Sequence, residues 1–183
     1  MKSNSLLHAA TLASALAAAA CAATTPIPGE LDPGTNTALA MVVPAKGVQI
    51  YECRRKKDAD QFEWAFVAPD AELFDTRGNV IGRHGAGPFW QAADGSRVTA
   101  KVKARSDAPG GNAIPWLLLE ARDSGMPGSF SKVAYIQRVN TQGGLAPSKP
   151  CAGEFLGQQM GVHYTADYRL FVQLAAATYI QKQ

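Results

Sequence analysis

The chain has 183 residues, with 18 Lys+Arg against 15 Asp+Glu and a formal net charge of +3. That balance is too even for the basic footprint of a nucleic-acid binder. Beyond the N-terminal segment no apolar run reaches the roughly 18–20 residues that a helix needs to cross a bilayer, and the remaining length suits one domain with a real core.

Residues 1–20 read as a signal peptide. Lys2 supplies a positive start, and Leu6–Ala20 is apolar apart from His8, Thr11 and Ser14. The stretch is too short for a stable membrane span. Ala18-Ala19-Ala20 runs into Cys21, which resembles the lipobox of bacterial lipoproteins and makes Cys21 a candidate for lipidation. The large aliphatic residue usual three places before the cysteine is Ala18 here, so ordinary cleavage after Ala20 or Ala22 is the alternative. Either route exports the chain, to the periplasm or outer membrane as a lipoprotein or otherwise as a secreted protein. Setting Cys21 aside leaves Cys53 and Cys151. Two distant cysteines in an oxidising compartment predict one disulfide. A metal site would need more thiolate or imidazole partners, and a redox pair would favour C-x-x-C.

Residues 21–40 carry Pro26, Pro28, Gly29, Pro33 and Gly34 with little to bury, and are expected to form a flexible tether. From 41 to 174 the pattern is that of short strands. Gly47–Arg54 sets Val48 and Ile50 opposite Tyr51 and Cys53. Gln61–Ala68 alternates, with Phe62, Trp64, Phe66 and Ala68 on one face, which predicts a half-buried strand and places Trp64 in the core. Glu72–Asp75 and Val80–His84 flank Thr76-Arg77-Gly78-Asn79 as a hairpin. Asp94-Gly95 is a turn signal. Arg97–Arg105 points Val98, Ala100, Val102 and Ala104 inward and Arg97, Lys101, Lys103 and Arg105 outward. Trp116–Leu119 is continuously apolar, as in a central strand. Val133–Val139 and Val162–Leu174 complete the series, and residues 175–183 form a tail that suits a last strand or a short helix. Turn signals recur about every 8–12 residues and no long amphipathic helix intervenes. The expected fold is all-β: a single-domain β-sandwich or β-barrel with long loops.

Several short motifs carry a resemblance. They include Tyr51-x-Cys53, Trp64-Ala65-Phe66, Ile81-Gly82-x-His84, Gly87-Pro88-x-Trp90 and Asp94-Gly95-Ser96. They continue through Ile114-Pro115-Trp116-Leu117-Leu118, Tyr135-Ile136-Gln137-Arg138, Thr141-x-Gly143-Gly144, Cys151 and Tyr164-x-Ala166-Asp167-Tyr168. Together they resemble the exported family called domain of unknown function 3455, from about Val43 to Phe171. The resemblance implies relatives without an established activity, and so supplies no catalytic residue. Some relatives bear a dehydrogenase label. This chain has no G-x-G-x-x-G after a strand and no βαβ pattern, which argues against that reading here. The tail beyond Phe171 is not part of the resemblance.

His84, within Gly82-Arg83-His84-Gly85-Ala86-Gly87-Pro88, is the leading candidate for a site; the plainer reading is a histidine that fixes a tight corner. Trp90 follows Gly87-Pro88 in what reads as a loop, where it could stack on a ligand. Arg138 precedes Thr141-x-Gly143-Gly144 and could clamp a carboxylate or phosphate, or pair with Asp167 as a buried charge requires. Tyr164 is grouped with these as a ligand-binding residue. A catalytic reading would combine His84 with Asp94 or Asp167. No metal site is expected: His163 and Asp167 sit about 13 Å apart along an extended strand. G-x-S-x-G and H-E-x-x-H are missing, and Ser129-Phe130-Ser131-Lys132 matches S-x-x-K by letter only.

The expectation is therefore an exported envelope β-domain, held at the membrane through Cys21, acting as a binding or structural module toward an envelope ligand, polymer or protein. It needs no cofactor and binds no nucleic acid. The alternative is an enzyme of unrecognised class built around His84.

Overall fold

A computed structural model describes residues 25–57 and 59–175. The signal segment, Cys21 and residues 176–183 of the tail lie outside the described residues. Eight antiparallel strands follow one another around a closed ring: β1 (Thr37–Arg55), β2 (Phe62–Phe74), β3 (Val80–Gly85), β4 (Phe89–Ala92), β5 (Arg97–Ser106), β6 (Trp116–Asp123), β7 (Val133–Gly143) and β8 (Gln159–Gln173). Each strand pairs with its successor, and β8 returns to β1, with Val43 opposite Tyr168 and Gln49 opposite Val162. Of the two expected architectures, the chain adopts the barrel, which leaves no open sheet edge.

The inward residues follow the period-2 alternation of the strands. Val43, Ala45, Leu73, Val98, Ala100, Leu117, Leu119, Ile136 and Leu170 form the apolar interior. One end is plugged by the β6–β7 connection, whose Phe130 is fully buried in that cluster. The Phe130 amide donates to Ser96 Oγ at 3.0 Å. Asp94 secures the same end, accepting from the Ser96 amide and hydroxyl and from those of Ser129. The opposite end carries the β3–β4 turn and the long connections 107–115 and 144–158. There Cys53 and Cys151 form a disulfide.

β6 is apolar on both faces because both are covered. Leu117 and Leu119 face the interior, while Trp116 and Leu118 pack outside the sheet with Ala108, Ala113, Val139 and Leu31. This corrects the tether reading. Leu31, in a 3-10 turn over Gly29–Leu31, is 0% exposed, and β1 already begins at Thr37. Within residues 21–40, the part from Ile27 onward therefore belongs to the globular body: proline and glycine there shape a close-fitting turn.

Other departures have local causes. β1 is far longer than Gly47–Arg54, and Glu72–Asp75 is the end of β2 rather than a separate strand. Register shifts between Ile50 and Tyr51 insert Val67 as an extra residue on β2, since Ile50 pairs with Ala68 and Tyr51 with Phe66. The run Phe62–Ala68 therefore does not keep one face. Trp64 is only half-buried at the barrel end and donates through Nε1 to the Lys149 carbonyl at 2.7 Å, so it is not core. A second bulge between Val102 and Ala104 turns Ala104 to the outer cluster and leaves Val102 58% exposed at the open end. The four cations of β5 accordingly do not share one face; Arg105 sits opposite Leu117, an inward position.

Candidate functional site

The open end of the barrel holds a cavity of about 210 Å³. His84 from β3, Trp90 from β4, Arg138 from β7, Tyr168 from β8 and Gln49 from β1 form its polar and aromatic wall. Leu117 and Leu119 supply the inner apolar wall, and Phe66, Val67, Pro69, Pro88 and Val102 surround the opening. Phe66, Val67 and Val102 are all exposed. An apolar rim of this kind around a largely apolar pocket with a few polar groups is a common setting for small-molecule sites.

The strand register explains the convergence. His84 is cross-strand from Trp90, and Arg138 is cross-strand from both Leu117 and Tyr168. All are inward positions. His84 and Trp90 stack with ring centroids 4.1 Å apart, and Tyr168 meets both edge-on at 5.1 and 5.3 Å. Such arrangements add to the burial energy of the rings. Trp90 is thus a strand residue, 2% exposed, and not a loop residue. Phe89–Ala92 escaped notice as a strand because only four residues separate two turns.

His84 is 3% exposed. Its Nδ1 lies 2.7 Å from the Phe89 carbonyl oxygen, which can only accept, so Nδ1 carries the proton and Nε2 is the free lone pair. Burial lowers its pKa to about 4, the neighbouring Arg138 charge acting in the same direction. The imidazole is neutral at physiological pH. Burial raises the phenols of Tyr51, Tyr164 and Tyr168.

Arg138 is half-buried. Its Nε and Nη2 both donate to the Pro115 carbonyl, at 3.1 and 2.9 Å. The expected pairing with Asp167 does not form: Asp167 accepts from Asn140 Nδ2 at 2.8 Å. Among the described residues no carboxylate lies within salt-bridge distance of Arg138.

Two further polar atoms at this cavity are unusual. Trp90 Nε1 and Gln49 Nε2 are buried and have no hydrogen-bond partner among the described residues. The Gln49 carboxamide lies beside the Tyr164 hydroxyl without forming a hydrogen bond of normal geometry from Nε2. Trp116 Nε1 and Arg169 Nε, which lie away from the cavity, are likewise buried without a hydrogen-bond partner among the described residues.

The remaining candidates take other places. Tyr164 does not line the cavity but stands behind it, its hydroxyl 3.3 Å from that of Tyr168. Thr141 Oγ1 donates to the Ile114 carbonyl at 2.6 Å and so anchors the 107–115 connection. Gly144 covers Tyr164 in a left-handed conformation at φ +76°, where a Cβ would come within 2.8 Å of the Tyr164 Cβ. Its carbonyl accepts from Tyr51 at 2.6 Å. Asp94 fastens the plugged end, and its four hydrogen bonds hold its carboxyl well below the usual range. His163 borders a separate, wider groove of about 790 Å³ along β1–β4. Neither Asp94 nor Asp167 lines the cavity that His84 occupies, so the proposed catalytic grouping is not assembled. Among the described residues, no cluster of three or more His, Cys, Asp or Glu is placed to hold a metal ion.

Sequence reasoning named His84, Trp90 and Arg138 but missed Gln49 and Tyr168. Tyr168 shares the inward face of β8 with Tyr164, at even spacing. Gln49 is a polar residue at an inward position of β1, between Gly47 and the bulge.

The chain matches the family described as Protein of unknown function (DUF3455) over residues 33–172. It belongs to that family. No curated protein and no solved structure matches the chain. The family match begins at Pro33 and thus takes in all of β1, including the part before Met41 that sequence patterning assigned to a tether.

Proposed function

We propose that this family member is an exported envelope module that binds a small molecule in the mouth of its barrel. The observation that carries this reading is an open-ended cavity walled by His84, Trp90 and Tyr168 in which the Arg138 guanidinium has no counter-ion among the described residues. A partly buried charge without a partner is costly, and a bound anion offsets that cost. Eight-stranded barrels are wide enough to enclose one small ligand, although that comparison is of architecture alone. Export is supported by the Ala-rich N-terminus and by the Cys53–Cys151 bond, which suits an oxidising compartment. Attachment through a lipid at Cys21 completes the reading, and the mass of the mature N-terminus tests it: a diacylglycerol-modified Cys21 is expected, and an unmodified one contradicts it.

The binding reading is tested by thermal-shift screening of a small-molecule library against the wild type and Val102→Trp. Val102 stands exposed at the opening, so a larger side chain there obstructs entry while the fold is kept. Ligands are expected to raise the wild-type Tm and to lose that effect in the variant. Equal shifts in both proteins, or none in the wild type, would overturn the reading.

A further inference from the structure

We propose that the ligand is a small monocarboxylate with an apolar or aromatic body, its carboxylate held by Arg138 and its body lying against Trp90 and Leu119. This deepens the binding reading above and rests on it.

Pro115 occupies the edge of the Arg138 guanidinium formed by Nε and Nη2. The end-on edge, Nη1 with the second hydrogen of Nη2, makes no hydrogen bond of normal geometry within the described residues, although the guanidinium lies beside the Tyr168 hydroxyl, and it is the edge that takes a carboxylate through two parallel bonds. Contact with Pro115 also fixes the plane of the group, so little side-chain entropy remains to be lost on binding.

Charge and polarity narrow the class. The cavity contains no acid to neutralise Arg138. His84 is neutral and Tyr168 keeps its proton, because burial opposes ionisation of both. The cavity therefore carries one positive charge, and a monoanion balances it; a dianion would leave a second charge unpaired in a partly dry site. The Arg138 charge calls for an anionic acceptor and disfavours a cationic amine. The rest of the wall is apolar and aromatic, which suits a hydrocarbon or ring and disfavours a sugar. At about 210 Å³ the space is below the roughly 300–1,000 Å³ of sites for drug-sized ligands, which suits a ligand of small size.

Isothermal titration of the purified mature protein with phenylacetate and hexanoate tests this, alongside methyl phenylacetate, phenethylamine and benzylphosphonate. At least one acid is expected to bind the wild type, at least tenfold tighter than the ester or the amine and tighter than the phosphonate. Arg138→Gln is expected to lose that preference and Arg138→Lys to retain part of it. If Arg138→Gln does not fold, the acid-against-ester comparison on the wild type decides. Ester or amine binding as tight as acid binding, or a tighter phosphonate, overturns the carboxylate assignment. If the ester binds and Val102→Trp abolishes it, the cavity reading survives while this inference fails. Absence of binding by every probe counts against both.

Discussion

Gln137 donates through Nε2 to the backbone carbonyl of Leu31 at 2.6 Å, across 106 positions of sequence. The bond lies outside the sheet, where Leu31 covers Trp116 and Leu118. It ties the start of the described chain to β7, directly beside inward-facing Arg138. The N-terminal segment is therefore part of what keeps β6 and β7 in place behind the cavity.

Leu31→Ala should accordingly cost about 2–5 kcal/mol, the range for truncating a buried leucine. Urea unfolding checks this. A segment acting only as a tether would show no change in the midpoint.

The disulfide joins residues 98 positions apart. In the chain-entropy model, closing so long a loop stabilises by up to roughly 4–5 kcal/mol. The double variant Cys53→Ser/Cys151→Ser is expected to unfold at markedly lower denaturant, with its largest increase in amide exchange over residues 144–158. Trp64 continues to hold Lys149 in that segment, so a folded barrel with a loosened upper connection is the expected product at low temperature.

His84 gives the stability a pH dependence of known sign. Its pKa is about 4 folded against 6.5 for the ordinary group. Between these values the unfolded chain binds the extra proton, so stability is fully present above about pH 6.5 and falls as the pH drops toward 4. The full effect is about 3 kcal/mol. The lowered carboxyl of Asp75, at about 2 against 3.8, acts in a separate window below pH 4. Chemical denaturation at pH 7, 5.5 and 4.5 should show the decline in the wild type, and His84→Gln should flatten it.

Tyr51→Phe removes the donor to the Gly144 carbonyl, a 2.6 Å bond between buried groups. A loss of about 1–2 kcal/mol is expected, together with faster exchange of the Gly144 amide, which itself donates to the His163 carbonyl. An unchanged melting curve would show that this connection is held by the disulfide alone.

The sequence made β5 legible as far as Val102 because alternation is a direct consequence of one buried face, whereas β7 and β8 alternate less regularly and were legible mainly as apolar runs. The continuous apolar run at Trp116–Leu119 was equally readable. Its second cover was not, because Leu31 stands among prolines and glycines whose composition suggests a linker. Bulges at Val67 and Lys103 were invisible: each adds one residue without changing the composition, yet each reverses the face of the strand residues beyond it. At the site, His84 and Arg138 stood out as polar residues in apolar strands, and Trp90 by its Gly-Pro neighbour. Their convergence depends on cross-strand register, which no single strand specifies. Gln49 was hidden by its apolar neighbours Val48 and Ile50, which look like the buried face and lie on the outer one.

A ligand seated in the mouth walled by Gln49, Trp90, Arg138 and Tyr168 would change the surroundings of their side-chain N–H groups. Proton–nitrogen correlation spectra of the side-chain amides and indoles, recorded through titrations with phenylacetate and with hexanoate, give the sharpest check. Saturable movement of the Trp90 indole and Gln49 carboxamide signals with at least one acid is expected, with the Trp64 and Trp116 indoles unmoved. A Trp90 signal that stays in place throughout, or movement confined to Trp64 and Trp116, would contradict binding in this mouth.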